Sequence, residues 1–273
     1  MNIEVSRLNR HCPICGSEAA HDHVDTWNDW HLKICAHCGF VYLQDPPGYQ
    51  GLSHDFAWEK TYEIERARRR EEEPVIDRLS WLMRRFRRFI LKRKKLYDLV
   101  DQYIPSGRML DVGCGGGGQM KRWFGGRYEP WGVEISNALA QKAETLFSKY
   151  GGHCVNSDAI SGLNSLPAGH FDGVIMKSYL EHEVEPRAVC EAVRHCLKPG
   201  GHVVIKVPNY ASWNRRFRGT SWCGYRFPDH VNYFTPKSLV SLVQDSGLDV
   251  VRFRWQDRIP TSDNMWIVAQ RSS

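Results

Sequence analysis

Four of the nine cysteines stand in two Cys-x-x-Cys pairs near the N terminus, Cys12 with Cys15 and Cys35 with Cys38. Nineteen residues separate the two pairs. Four thiolates at this spacing are typical of a structural zinc site, whose tetrahedral shell is closed to substrate. A redox dithiol is disfavoured because neither pair follows a strand and opens a helix. The sequence therefore predicts a small four-cysteine zinc ribbon that binds Zn²⁺ for stability.

A second group of residues combines carboxylates with a glycine-rich turn. Asp111 ends an apolar stretch and is followed by Gly113, Gly115 and Gly117. Glycine accepts positive φ and adds no Cβ, so a ligand can lie against bare backbone. Such strand-to-helix turns bind dinucleotides, phosphates and S-adenosylmethionine alike. Glu134 ends the next apolar stretch, where α/β nucleoside-binding folds place a carboxylate for the ribose hydroxyls.

Two histidines are candidate general bases, because histidine titrates near neutrality. His182 follows the predicted strand that begins at Phe171, and His230 lies between the next strand and the following helix. Tyr179 and Tyr233 lie close to them and are candidate hydrogen-bonding or orienting groups. Packing or cofactor contact for His182, and backbone bonding for His230, are the alternative roles.

These residues need elements that place them at one edge of a sheet. Apolar stretches alternate with helix starts marked by Ser136, Pro186 and Thr235, and two strands close the chain. Ligands in such open α/β sheets lie at the carboxyl ends of the strands. The pattern predicts an α/β fold, a Rossmann-like sheet with helices on both faces, and a hairpin between the two cysteine pairs.

The ordered segments LDVGCGGGG, GVEIS, SDA, FDGVIMKSYLEH and LKPGGHVVIKVPN resemble the class I S-adenosylmethionine-dependent methyltransferase family from Ser106 to the C terminus. The resemblance implies that S-adenosylmethionine is the cofactor. It implies that Asp111 and the three glycines hold the methionine portion, that Glu134 binds the ribose, and that Asp158 and Ala159 meet the adenine. The same resemblance places Cys114, through its backbone, and Ile135 and Lys177 at the cofactor.

The ribbon together with the catalytic motifs also resembles bacterial sugar methyltransferases that carry an N-terminal cysteine-rich module. Those C-methyltransferases have a further C-terminal domain, whereas this chain ends at the last predicted strand. The resemblance implies O- or C-methylation of a sugar, a nucleotide sugar or another small metabolite. RNA methylation is the alternative function, and a non-catalytic docking module that binds the cofactor is a third.

We predict three parts: the ribbon at 1–47, a basic helical connector or substrate cap at 48–105, and the methyltransferase domain at 106–273. Between Arg66 and Lys95 there are thirteen lysines and arginines but only four acidic residues, so the basic character lies mainly here. Apolar positions spaced as on a helix run from Leu79 to Val100, with basic residues on the other face. The basic side chains between Arg84 and Lys95 could bind RNA, an anionic membrane surface or a phosphorylated substrate. The alternative is that they form an exposed, solvated face.

Composition limits the remaining classes of protein to which the chain could belong. The chain is 42% hydrophobic with a net charge of +6, as expected for a folded soluble protein. It contains neither a run of eighteen apolar residues nor a signal-peptide pattern. We therefore expect a cytoplasmic protein without a transmembrane segment, and the sequence leaves the oligomeric state open.

Overall fold

The computed structural model describes residues 7–27, 30–48, 85–86 and 89–273. A seven-stranded sheet forms its centre, in the order β10-β11-β8-β7-β4-β5-β6. The strands are β4 (Gly107–Val112), β5 (Tyr128–Glu134), β6 (Cys154–Asn156), β7 (Phe171–Lys177), β8 (Leu197–Pro208), β10 (Asp249–Arg252) and β11 (Asn264–Gln270). Strands β4 to β8 run parallel, and β11 pairs antiparallel with both β8 and β10.

Helices cover both faces of this sheet, which confirms the predicted fold class. They are α1 (Leu96–Tyr103), α2 (Asn137–Phe147), α3 (Ala159–Ser165), α4 (Pro186–Cys196), α5 (Trp213–Arg218) and α6 (Pro236–Asp245). Alternating residues of each strand face opposite sides. Met109 packs in the cluster that includes Leu99 of α1 and Phe147 of α2, while Leu110 packs in the cluster with Val189 of α4 and Leu239 of α6.

Residues near the N terminus form a smaller antiparallel sheet. Strands β1 (Ala20–Trp27) and β2 (Trp30–Cys35) make the expected hairpin, and β3 (Val41–Leu43) follows the second cysteine pair. A fourth strand, β9 (Asn232–Tyr233), comes from the chain before α6 and pairs with β3. The ribbon core also merges with the main core, since Phe40 packs on Phe234 at 5.2 Å between ring centroids. The N-terminal module therefore packs against the core of the seven-stranded sheet.

The predicted connector lies mostly outside the described residues, which include only parts of 48–105. Within the described part, the expected continuous helix is wrong at residues 91–95, and α1 begins only at Leu96. Lys92 has a φ of 46°, a left-handed conformation that ends helical geometry. Arg93 was predicted on the basic face opposite the apolar positions, but it is buried and donates to Ser262 Oγ at 2.5 Å and to the Asn264 carbonyl at 2.5 Å. Among the described helices, none is both long enough and apolar enough to cross a membrane.

Candidate active site

A cavity of about 510 Å³ opens at the carboxyl ends of the parallel strands. It lies where the strand order reverses between β4 and β7, which is where open α/β sheets bind ligands. Nine of the ten residues predicted at the cofactor line it: Asp111, Gly113, Cys114, Gly115, Glu134, Ile135, Asp158, Ala159 and Lys177. The tenth, Gly117, lies behind the wall and allows close packing, since a Cβ there would come within 2.7 Å of the Phe147 ring.

The glycine turn has the backbone geometry that the sequence predicted. Gly113, Gly115 and Gly117 have φ values of 70°, 54° and 74°. At Gly113 an added Cβ would lie 2.7 Å from Tyr179 Cδ2. These positions require glycine because the conformation is left-handed and, at Gly113, because an aromatic ring lies against the backbone.

Two carboxylates of the cavity wall are held by backbone amides. Glu134 accepts from the backbone N–H of Gly115 at 2.8 Å and of Ser136 at 2.9 Å. Asp158 caps α3 by accepting from Ser161 N at 2.9 Å, and this bonding keeps the pKa of Asp158 below its usual value despite the desolvation that burial imposes. Each ionised carboxylate retains lone pairs for a ligand hydroxyl or amine. Both side chains are therefore fixed in direction before a ligand binds.

Asp111 belongs to a hydrogen-bonded chain that the sequence did not reveal. Gln119 Nε2 lies 3.4 and 3.3 Å from the two carboxylate oxygens of Asp111, and Lys177 Nζ donates to Gln119 Oε1 at 2.6 Å. Burial raises the pKa of Asp111 to about 8, with Glu134 adding to the effect and Lys177 opposing it. Gln119 follows the glycine turn in a 3₁₀ helix, so its position after the turn was the only available signal.

These residues fit S-adenosylmethionine. The glycine backbone lies bare along one wall, and three carboxylates stand at or just beyond the ends of β4, β5 and β6. Asp111 lacks a cationic partner in direct contact among the described residues. A buried acid in this position suits a cationic group such as the amino group of the cofactor.

His182 and Tyr179 line the same cavity, as the sequence predicted for catalytic groups. His182 Nδ1 lies 2.9 Å from Asp229 Oδ1 and 2.9 Å from the Asp229 carbonyl. Burial by itself lowers the pKa of His182, but the Asp229 carboxylate outweighs burial and raises it. The Tyr179 hydroxyl donates to Glu183, a further cavity residue that the sequence did not single out.

His230 and Tyr233 lie behind the cavity wall and not in it. Both are buried, and the Tyr233 hydroxyl donates to the His230 carbonyl at 2.8 Å. His230 Nδ1 lies 2.8 Å from the carbonyl of Gly224, and its ring centroid lies 4.7 Å from that of His182. Burial and the neighbouring His182 hold the pKa of His230 well below its ordinary value, so the imidazole is neutral at pH 7.

The four cysteines predicted as metal ligands converge, and we call them the cysteine cluster: Cys12, Cys15, Cys35 and Cys38. The Sγ atoms of Cys12 and Cys38, and those of Cys15 and Cys35, lie 3.5 Å apart. Tetrahedral thiolates at the usual Zn–S distance of about 2.3 Å would stand about 3.8 Å apart. Donor type and spacing therefore fit zinc.

Comparison with known proteins identifies the family of this chain. A methyltransferase domain family matches residues 81–252, well over half of the chain. The ubiquinone biosynthesis O-methyltransferase of Cupriavidus pinatubonensis is 26% identical over 169 residues, covering 58% of this chain and 67% of that protein.

Two solved structures share the fold. An S-adenosylmethionine-dependent methyltransferase from Methanosarcina mazei, 23% identical, superposes with a TM-score of 0.50 over 66% of this chain and 99% of that one. The [4+2]-cyclase SpnF, 18% identical, does so with a TM-score of 0.50 over 64% and 80%. The cavity, its carboxylates and the family match lead to one conclusion: the chain belongs to the methyltransferase domain family and is a class I S-adenosylmethionine-dependent methyltransferase.

Proposed function

We propose that this enzyme methylates a hydroxyl oxygen of a small acceptor, a sugar or a nucleotide sugar. The observation that carries the proposal is the second wall of the cavity, where His182, Tyr179, Glu183 and Asp229 stand beside the cofactor carboxylates. Bound S-adenosylmethionine supplies an electrophilic methyl group. The side chains of this wall then have to orient a hydroxyl oxygen towards that methyl group and deal with its proton.

Asp229 holds His182 through Nδ1 and so fixes the ring that lines the acceptor side of the cavity. Tyr179 and Glu183 form a hydrogen-bonded pair that suits recognition of neighbouring hydroxyl groups. Tyr233 supports this wall indirectly, through the backbone of His230.

An O-methyltransferase among the relatives supports a hydroxylated small acceptor over the alternatives of C-methylation, RNA or a docking module. The burial of Arg93 also removes one cation from the predicted basic face. The cytoplasmic location and the role of the remaining basic residues stay predictions from the sequence.

We further propose that the cysteine cluster binds one structural Zn²⁺ ion. The support is its closed set of four thiolates, whose shell leaves no position for a substrate. The ion would stabilise the small β1-β2-β3 sheet, whose own core is limited.

The test of the activity is an acceptor screen with S-adenosylmethionine, in which S-adenosylhomocysteine and the methylated product are detected by mass spectrometry. Nucleotide sugars, free sugars and phenols are compared with RNA. We expect turnover with a hydroxylated small molecule, its loss in Glu134→Gln, and normal turnover in Glu191→Gln, an exposed glutamate of α4. Turnover with RNA alone would contradict the proposal, and NMR of the product separates a methoxy group from a C-methyl group.

A further inference from the structure

Three buried side-chain atoms of neighbouring residues have no hydrogen-bond partner among the described residues. They are Glu181 Oε2, His182 Nε2 and His230 Nε2, and all three are buried. We call the three residues the histidine cluster. One ligand atom from each lies within 4.8 Å of the others. Burying a polar atom without a partner is unfavourable, so three such atoms in one group of residues indicate a shared partner.

The other nitrogen of each imidazole is already held. His182 Nδ1 contacts Asp229, and His230 Nδ1 contacts the Gly224 carbonyl. Because these partners accept hydrogen bonds, Nδ1 carries the proton in neutral imidazole and Nε2 keeps its lone pair. Protein histidines that bind metals are oriented in this way, by a carboxylate or a backbone carbonyl on the far nitrogen.

The two chain segments that supply these ligands are joined at the cluster. Glu181 and His182 follow β7, and the Glu181 carbonyl accepts from the backbone N–H of Val231 at 2.8 Å and of Asn232 at 3.1 Å. The two imidazole rings stand nearly perpendicular, at 84°. The ligand atoms are therefore placed by backbone pairing, which fixes a coordination site before any ion binds.

No cationic side chain in the described part of the chain hydrogen-bonds the three buried atoms of the histidine cluster. Lys206 Nζ forms a long ion pair with the other carboxylate oxygen, Glu181 Oε1, at 3.9 Å, and donates to Ser178 Oγ at 2.6 Å. Arg226 pairs with Asp229 Oδ2 at 2.8 Å. A divalent cation would satisfy all three buried atoms of the histidine cluster at once.

We propose that Glu181, His182 and His230 form a second metal site, which binds a divalent transition-metal cation. Two imidazoles and a carboxylate suit Zn²⁺, Co²⁺, Fe²⁺ or Mn²⁺, and three protein ligands leave coordination positions free. His182 lines the cavity. A cation on its Nε2 would fix the His182 ring in the wall that faces the acceptor, and this positioning role rests on the proposed function.

The test is a Co²⁺ titration of the full chain with the cysteine cluster first loaded with Zn²⁺, followed by visible absorption and by X-ray absorption at the cobalt edge. We expect one further Co²⁺ per chain with a nitrogen and oxygen shell and no sulfur. His230→Asn retains an amide in place of Nδ1 and removes Nε2, so we expect at least about a tenfold loss of Co²⁺ affinity, as seen even when outer-shell partners of a metal are removed.

The matched control is His170→Asn. His170 Nε2 is also buried without a partner, but His170 belongs to no group of three ligand residues in the described part of the chain. Its substitution should leave Co²⁺ binding unchanged. S-adenosylmethionine affinity, measured on the same samples, reports whether each variant is folded, and Glu181→Gln serves as the second variant.

A cobalt shell that contains sulfur, or Co²⁺ affinity unchanged in both His230→Asn and Glu181→Gln, would overturn the proposal. The X-ray absorption measurement on the parent needs no variant and therefore decides the matter even if both substitutions disturb folding. Retained Co²⁺ binding without methyl transfer to any hydroxylated acceptor would count against the proposed function alone.

Discussion

The cysteine cluster and the histidine cluster differ in how the chain encodes them. The first comes from two pairs within one short segment, so its spacing is visible in the sequence. The second joins Glu181 and His182 to a histidine on another segment, which backbone pairing brings alongside. A local site can be predicted from spacing, whereas a site assembled by tertiary structure cannot. The two also differ in donors, since four thiolates form a closed shell and two imidazoles with one carboxylate do not.

Arg10 links the segment that carries the cysteine cluster to the two segments that carry the histidine cluster. Its guanidinium donates to the Val184 carbonyl at 2.6 Å, to the Val231 carbonyl at 2.6 Å and to Asn232 Oδ1 at 3.1 Å. These acceptors flank Glu181 and His230, and β3 pairs with β9 directly beside them. The ribbon therefore supports the segment that carries His230. We expect the cysteine cluster to act through stability and the histidine cluster through ligand binding.

The largest effect on stability should come from a substitution in the cysteine cluster. Structural zinc contributes roughly 10 kcal/mol or more of apparent binding free energy, so Cys35→Ser should unfold the β1-β2-β3 sheet. Hydrogen exchange should show lost protection over β1, β2, β3 and β9. Cys196→Ala, a buried cysteine outside the cluster, should cost about 1 kcal/mol and leave the ribbon protected. Equal protection in parent and Cys35→Ser would show that zinc does not hold the ribbon.

Loss of the Arg10 hydrogen bonds should have the next largest effect on the free energy of unfolding. Arg10→Leu removes hydrogen bonds from a charged donor, and we expect a loss of about 1.5 to 3 kcal/mol in the free energy of unfolding. Arg7→Leu is the matched control, because its ion pair with Asp45 is partly exposed and worth about 1 kcal/mol or less. Urea denaturation measures both. Similar losses in the two variants would mean that Arg10 has no special part in joining the ribbon to the site.

Asp111 affects both stability and binding, because its protonation changes the stability of the folded state and its negative charge serves the cofactor. Its pKa is raised to about 8 in the folded chain from an ordinary value of 3.8, so the folded state holds a proton that the unfolded state has released. The resulting stabilisation is present below about pH 4 and is lost as the pH rises towards 8. Asp111→Asn lacks this dependence, so its free energy of unfolding relative to the parent should increase between about pH 5 and about pH 8.5. We expect the increase to exceed about 1.4 kcal/mol, the free energy of one pKa unit.

Denaturation curves at the two pH values test this directly. If the free energy of unfolding depends on pH in the same way for the parent and Asp111→Asn, then Asp111 is ionised at pH 7 without a loss of stability. The variant should also bind S-adenosylmethionine more weakly, because it cannot present a negative charge to the amino group of the cofactor.

The smallest stability effect should come from the histidine cluster. In metal-free protein, His230→Asn keeps a donor near the Gly224 carbonyl and removes an atom that has no partner in the described structure. We expect the free energy of unfolding to change by less than about 1 kcal/mol. A loss as large as that of Cys35→Ser would make the two clusters alike and end the contrast drawn between them.

Much of the fold was predictable because its signals are local. The α6 start is one case, where Thr235 Oγ1 accepts from Ser238 N at 3.2 Å and Pro236 occupies the first helical position. The helix break near Lys92 was not predictable, because the apolar spacing continues through it. The partners of Arg93 lie about 170 residues away in sequence. The two-residue strand β9 gave no signal for the same reason, since it is defined by pairing with β3.

The residues of the candidate site also divide into those that local sequence signals predict and those that only tertiary contacts define. The glycine turn and Glu134 follow from a motif, and the structure places Gly113, Gly115 and Glu134 in the cavity wall. Gln119 and Asp229 were missed because each acquires its role from a side chain on another segment. Glu183 was missed because its pairing with Tyr179, four residues earlier, follows no recognisable motif. His230 was singled out from sequence as a base, whereas the structure places its buried Nε2 beside Glu181 and His182.

Isothermal titration with S-adenosylmethionine tests the site most directly. The zinc-loaded parent, Glu134→Gln and the exposed control Glu191→Gln are compared at about pH 8, where Asp111 can ionise. We predict one cofactor per chain for the parent and the control, and binding weakened at least about tenfold in Glu134→Gln, the loss expected when about 1.4 kcal/mol of hydrogen bonding to a charged group is removed. No binding to the folded parent, or equal binding in Glu134→Gln, would contradict the assignment of this cavity to the cofactor.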